Sequence, residues 1–130
     1  MYTHILSDVF GVILLEDGIN IPYLNWLKEQ SEQGIQIAFG SNVSAQKAQE
    51  VRAKYGLNGI SDTFFASGVL GIKKPNLEFF TMIEEQWGLE DPTTALFIDD
   101  MRDNTAAAEI RGWHTHTYRT WENFKQKVLK

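Results

Sequence analysis

A chain of 130 residues, 43% hydrophobic and 22% charged, can build one core but is too short for two comfortable domains. The net charge of -5 opposes the basic face that nucleic acid requires, and the lack of cysteine excludes disulfides and thiolate metal sites. No apolar run approaches the roughly 20 residues that span a bilayer, and the N-terminus lacks the pattern of a secretory leader. The expectation is therefore a soluble cytoplasmic domain with neither nucleic-acid nor membrane partners.

The first predicted element is a short buried strand in "THILSDVF", too brief for a helix and closed by Asp8 and Gly11. "GVILLEDGIN" follows as a tight hairpin turning at Asp17-Gly18. A helix from Pro22 to Gln33 carries Tyr23, Leu24, Trp26 and Leu27 on its apolar side and stops at Gly34. "IQIAFGSN" is the second main strand, and Ser44 caps a helix running to about Tyr55. "DTFFAS" is the third strand, and "GVLGIKKP" reads as a loop. The spacing then predicts a helix from Asn76 to Trp87 with Leu77, Phe80, Ile83 and Trp87 on one side. "TALFID" is a fourth strand, "RDNTAAAEIRG" a helix, "WHTHTY" a fifth strand, and "TWENFKQKVL" a final helix capped by Thr120.

Strands alternating with helices specify a mainly parallel sheet covered on both faces, an α/β three-layer sandwich. In such sheets ligands bind beyond the carboxyl ends of the strands. Asp8 stands after the first strand, Ser41 and Asn42 after the second, Lys73 and Lys74 in the loop beyond the third, and Asp99 and Asp100 after the fourth. Asp103 and Asn104 come shortly behind. Close carboxylates repel unless a proton or cation lies between them. A hard divalent cation such as magnesium resolves that repulsion, and the lysine and hydroxyl then suit a bound phosphate.

These four stretches resemble the motifs of the haloacid dehalogenase-like hydrolase superfamily. "ILSDVFGV" is similar to its first motif, D-x-D-G-[TV] after an apolar strand. "IQIAFGSN" resembles the second, "GIKKP" the third, whose lysine directly precedes proline in many members, and "ALFIDDMRDN" the fourth, with Asn104 as its trailing polar residue. The resemblance covers residues 4 to 118 and implies a Rossmann-like fold with strand order 3-2-1-4-5. It also implies roles. Asp8 is the nucleophile that forms an aspartyl-phosphate. Magnesium is held by Asp8, the backbone carbonyl of Phe10 and Asp100, with Asp99 in support. Ser41 and Asn42 bind the phosphoryl oxygens, and Lys74, or Lys73 in its place, neutralises charge.

The sequence departs from the family at Phe10. Phosphatases of the family carry a second Asp there, which protonates the leaving group and later activates water. Such assistance is worth about 10²–10⁴-fold in rate, and phenylalanine supplies none of it. Three readings follow. The chain is a phosphatase restricted to good leaving groups, or a non-catalytic ligand- or protein-binding module on the same scaffold, or a haloacid dehalogenase, which carries an aromatic residue at this position. The dehalogenase reading ranks last, because no arginine follows the first motif closely and the acid pair Asp99-Asp100 is intact. No segment is long enough for a cap domain. The open site therefore suits a phosphorylated small molecule or a macromolecular phosphoester, with a homo-oligomer as a means of covering it. His114 and His116 read as polar strand positions rather than metal ligands, and Trp26, Trp87, Trp113 and Trp121 as packing residues, with an exposed interface role for Trp121 as the alternative.

Overall fold

The computed structural model describes residues 1–129. Its elements run in the order β1 (His4–Ser7), β2 (Leu14–Leu15), β3 (Gly18–Ile19), α1 (Ile21–Glu32), β4 (Gln36–Ser41), α2 (Ala45–Lys54), β5 (Phe64–Ala66), α3 (Ser67–Leu70), α4 (Leu77–Trp87), β6 (Ala95–Asp99), α5 (Arg102–Ile110), β7 (His114–Thr117) and α6 (Trp121–Val128). Five strands form one parallel sheet in the order β5-β4-β1-β6-β7, which is the expected 3-2-1-4-5 order of the main strands. The remaining pair, β2 and β3, is the antiparallel hairpin foreseen around Asp17-Gly18.

Strand β1 is buried along its whole length, because it is central and both faces are covered. Its alternate side chains divide between two cores. Ile5 joins Ile37, Phe39, Leu96 and Ile98 beneath α1, α2 and α6, where Tyr23, Leu27, Val51 and Phe124 close the layer. Leu6 joins Ala38 and Phe97 on the opposite face, against Phe79, Phe80 and Ile83 of α4 and Ala107 and Ala108 of α5. This is the three-layer arrangement that an alternating strand-helix order demands.

Caps fall where small polar residues stand. Ser44 Oγ accepts the Lys47 N–H at 3.0 Å, Asn76 Oδ1 accepts the Glu78 N–H at 3.0 Å, and Thr120 Oγ1 accepts the Asn123 N–H at 3.1 Å. Two local expectations differ from the structure. Residues 68–70, read as loop, and Ser67, read as the end of the third strand, form the single-turn helix α3. Leu77, placed on the apolar side of α4, is 40% exposed, and Phe79 takes the buried position instead. The stripe that packs is Phe79, Phe80 and Ile83, and Leu77 falls outside it in the first turn.

The tryptophans pack as expected. Trp26 and Trp113 are buried. Trp87 is half-buried and meets the His4 ring edge-on at 4.6 Å. Trp121 is half-buried and stacks on Phe124 with ring centres 5.7 Å apart. His116 is half-buried against Phe124, and His114 is exposed. Among the described residues, no helix is long and apolar enough to cross a membrane.

Candidate active site

Parallel pairing aligns the ends of β1, β4 and β6 at one edge, with Ser7 opposite both Phe39 and Ile98. The next residues in each chain segment are therefore brought together. Asp8 follows β1 and is anchored there by its N–H, which donates to the Ile98 carbonyl at 2.9 Å. Ser41 ends β4 and Asp99 ends β6. An acid is tolerated at these depths only with partners, and the partner is Lys74.

Lys74 is 3% exposed, whereas Lys73 lies at the surface. Its ammonium donates to Asp8 Oδ1 at 2.9 Å, to the Gly40 carbonyl at 2.9 Å and to Asp99 Oδ2 at 2.7 Å. All three of its protons are thereby used. Asp99 is fully buried, and both of its oxygens are occupied. Oδ2 also accepts the Asn104 side-chain amide at 3.1 Å, and Oδ1 accepts the Met101 backbone N–H at 2.8 Å. Asn42 fixes the lysine's loop: its Oδ1 accepts the Lys74 N–H at 2.9 Å and its Nδ2 donates to the Lys74 carbonyl at 3.0 Å. Asp103 is exposed and lies apart from this network.

Asp100 completes an acidic cluster. Asp8, Asp99 and Asp100 each offer an oxygen within 4.8 Å of the others. Gly11 explains how Asp100 fits so close. A Cβ at position 11 would overlap the Asp100 carboxylate, and the backbone φ of +90° there is one that L side chains rarely adopt. One lysine facing three carboxylates leaves the cluster short of positive charge. Burial, opposed by Lys74 and reinforced by Asp99, pushes the Asp8 carboxyl up to about 7. Burial raises Asp100 as well. An all-oxygen donor set, an excess of negative charge and a glycine cradle fit a hard divalent cation.

Above the cluster opens a cavity of about 260 Å³. Asp8, Ser41, Lys74 and Asp100 line it, as do Phe10 and Asn42. Ser41 is 2% exposed and Phe10 is 41% exposed. Asp8, Phe10, Ser41, Asn42, Lys74, Asp99 and Asp100 thus reach one cavity or the network under it, whereas Lys73 and Asp103 do not. Sequence reasoning missed two supports. Met101 contributes a backbone N–H, which no side chain advertises. Ser7 Oγ, paired with the Tyr23 hydroxyl at 2.7 Å, donates to the Asp8 carbonyl at 2.9 Å and braces the turn from behind.

The family of haloacid dehalogenase-like hydrolases matches residues 2–110, which hold the whole cluster. The chain belongs to that family. A curated relative, the sesquiterpene phosphatase astK of Aspergillus oryzae, is 30% identical over 86 residues, or 66% of this chain. The match spans only 43% of astK, less than half its length. Among solved structures, a hydrolase from Streptococcus pneumoniae TIGR4 superposes with a TM-score of 0.83 at 15% identity, covering 99% of both chains. A HAD-family enzyme from Bacteroides thetaiotaomicron, crystallised with magnesium and inorganic phosphate, gives 0.80 at 16% identity, covering 95% of this chain and 99% of its own. At such identities these two establish the fold.

Proposed function

We propose that this family member is a magnesium-dependent phosphatase acting through an aspartyl-phosphate on Asp8 and restricted to good leaving groups. The observation that carries the reading is the Lys74 ammonium held between Asp8 and Asp99, with Asp100 beside them, under a cavity with room for a phosphoryl group. A phosphatase relative and a neighbour holding magnesium and phosphate support it. Magnesium, when held by Asp8, Asp100 and the Phe10 carbonyl with Asp99 in support, offsets the charge of the phosphoryl oxygens.

The chain's own groups do the rest. An Asp8 oxygen attacks phosphorus, and the bond to the leaving oxygen breaks with its electron pair. Lys74 keeps the Asp8 carboxylate oriented and balances negative charge at the reacting centre. Ser41 hydrogen-bonds a phosphoryl oxygen, and Asn42 acts by holding the Lys74 loop. Water then cleaves the aspartyl-phosphate and releases inorganic phosphate. Phe10 gives the departing oxygen no proton, so aryl and acyl phosphates, whose anions leave unaided, turn over faster than alkyl phosphates. The substrate is a phosphorylated small molecule or a macromolecular phosphoester reached through the uncapped cavity, in the cytoplasm, with a second copy as the means of covering the site.

Phe10 itself favours a second reading, a binding module that keeps the metal and phosphate pocket without turnover. The aromatic residue also suits a dehalogenase, but the acid pair at Asp99 and Asp100 does not. Purified protein with magnesium, assayed for phosphate release from aryl, acyl and alkyl phosphates, separates the readings. We expect slow aryl and acyl turnover that Asp8→Asn abolishes. Equal rates for the two proteins would exclude chemistry at Asp8.

A further inference from the structure

Phe10 belongs to two cavities. Besides the phosphate cavity, it lines a groove of about 150 Å³ between the hairpin and α2. Leu14, Val51 and Tyr55 supply the rest of its apolar wall, and Lys47, Glu50 and Lys54 supply its charge. The arrangement follows from local structure. The Gly11 N–H donates to the Leu14 carbonyl at 2.9 Å, so the turn after Asp8 brings Phe10 and Leu14 together. On α2, positions 47, 50, 51 and 54 share one helical face.

We infer that this groove is a leaving-group subsite selecting aryl phosphates that carry an anionic ring substituent. The inference deepens the proposed phosphatase reading and rests on it for turnover. Three observations converge. First, Phe10 lines both cavities, so the groove borders the phosphate cavity across that one side chain, on the side where a leaving group bound over Asp8 would meet Phe10. Second, the groove, at about 150 Å³, has the volume of one aromatic ring. Phe10 and Tyr55 offer ring surface for stacked or edge contacts. Third, two lysines against one glutamate leave the groove a net cation. Among the described residues, neither Lys47 nor Lys54 is engaged in an ion pair. Lys54 Nζ lies 5.4 Å from the Tyr55 ring centre, at the edge of the apolar wall.

The chemistry is consistent with the missing acid. Attack by Asp8 forms the Asp8–phosphorus bond and breaks the bond from phosphorus to the aryl oxygen. The electron pair departs on the aryloxide, delocalised into the ring, with no proton required. Water then returns Asp8 and inorganic phosphate. The residue that removes proton donation is the residue that builds the ring site.

Two measurements test this. In the first, phosphate release is followed for para-carboxyphenyl phosphate, phenyl phosphate and acetyl phosphate with magnesium present. We expect kcat/KM for the carboxylated ester to exceed that for phenyl phosphate, partly because its aryloxide is the less basic leaving group. The double variant Lys47→Ala/Lys54→Ala should lower that ratio by about fivefold, the scale of an exposed ion pair. A ratio unchanged in the double variant overturns the subsite while acetyl phosphate turnover leaves the phosphatase reading standing. In the second, para-hydroxybenzoate, the product of the first ester, is titrated while backbone amides are watched by NMR. Saturable shifts at Leu14, Val51 and Tyr55, lost in the double variant, support the groove even if no ester is hydrolysed. Their absence overturns it.

Discussion

Phe10 and Lys74 can each be tested by a single substitution. Phe10 is partly exposed at the mouth of the cavity, so a smaller acidic side chain fits there without disturbing the core. Phe10→Asp should raise turnover of alkyl phosphates, with gains of up to about 10²–10⁴-fold where proton transfer limits the rate. Rates of alkyl and aryl esters measured side by side check this, and no gain in a folded, magnesium-binding variant would refute the account of the missing acid. Lys74 is different, because it is buried with two acids. Lys74→Met leaves Asp8 and Asp99 without their cation, at a cost on the order of 3–5 kcal/mol. Urea unfolding in the absence of divalent metal should show that loss. A variant as stable as the wild type would mean that the two carboxylates do not depend on the lysine.

At the scale of elements, the site is a set of loop tips pinned by backbone contacts. The turn joining β1 to the hairpin works only with glycine at position 11, where a side chain meets Asp100. Gly11→Ala should therefore displace Asp100 and weaken magnesium binding at least about tenfold, the scale on which outer-shell support tunes metal sites. Isothermal titration calorimetry reads this directly, and unchanged affinity would show that Asp100 is not a ligand. The link between β4 and the loop before α4 depends on Asn42, whose amide meets the Lys74 backbone twice. Asn42→Ala should lower kcat for aryl phosphates while costing only about 1–2 kcal/mol of stability. An undiminished kcat would assign Asn42 to folding alone.

Much of this organisation was readable in advance. Apolar runs such as "ALFID" announce buried strands because they are short and bounded, and the alternation with helices dictates a parallel sheet. The acids at strand ends were legible for the same reason, since topology fixes which tips meet. What stayed hidden is what depends on three-dimensional neighbours. Phe79 and Leu77 have similar hydropathy, and only the packing of α4 decides which is covered. The Met101 amide and the second cavity beside Phe10 have no sequence signature. The four-residue α3 is too short for periodicity to register.

Across the whole molecule, the charge cluster couples stability to pH. The buried Asp8 carboxyl titrates at about 7 in the folded, metal-free protein and near 4 in an unfolded chain. Between those values the folded state keeps a proton that the unfolded chain has released. This group's contribution to stability therefore falls as pH rises from about 4 to about 7. Above that range the carboxylate is ionised and available to a cation, so magnesium should stabilise the fold most on the alkaline side. Urea midpoints at about pH 5 and pH 8, with EDTA or magnesium and with Asp8→Asn as reference, measure both effects. Wild type should lose ground to the variant on raising the pH in EDTA and regain it with magnesium. Parallel behaviour of the two proteins would remove Asp8 from the linkage.

The triple engagement of one ammonium has a further consequence for how competence arises. Its three acceptors lie 66, 34 and 25 positions away along the chain, so no short fragment can assemble the pocket. Cation uptake should thus appear only once β1, β4 and β6 lie side by side, which would make it a chemical clock for the assembly of the central sheet.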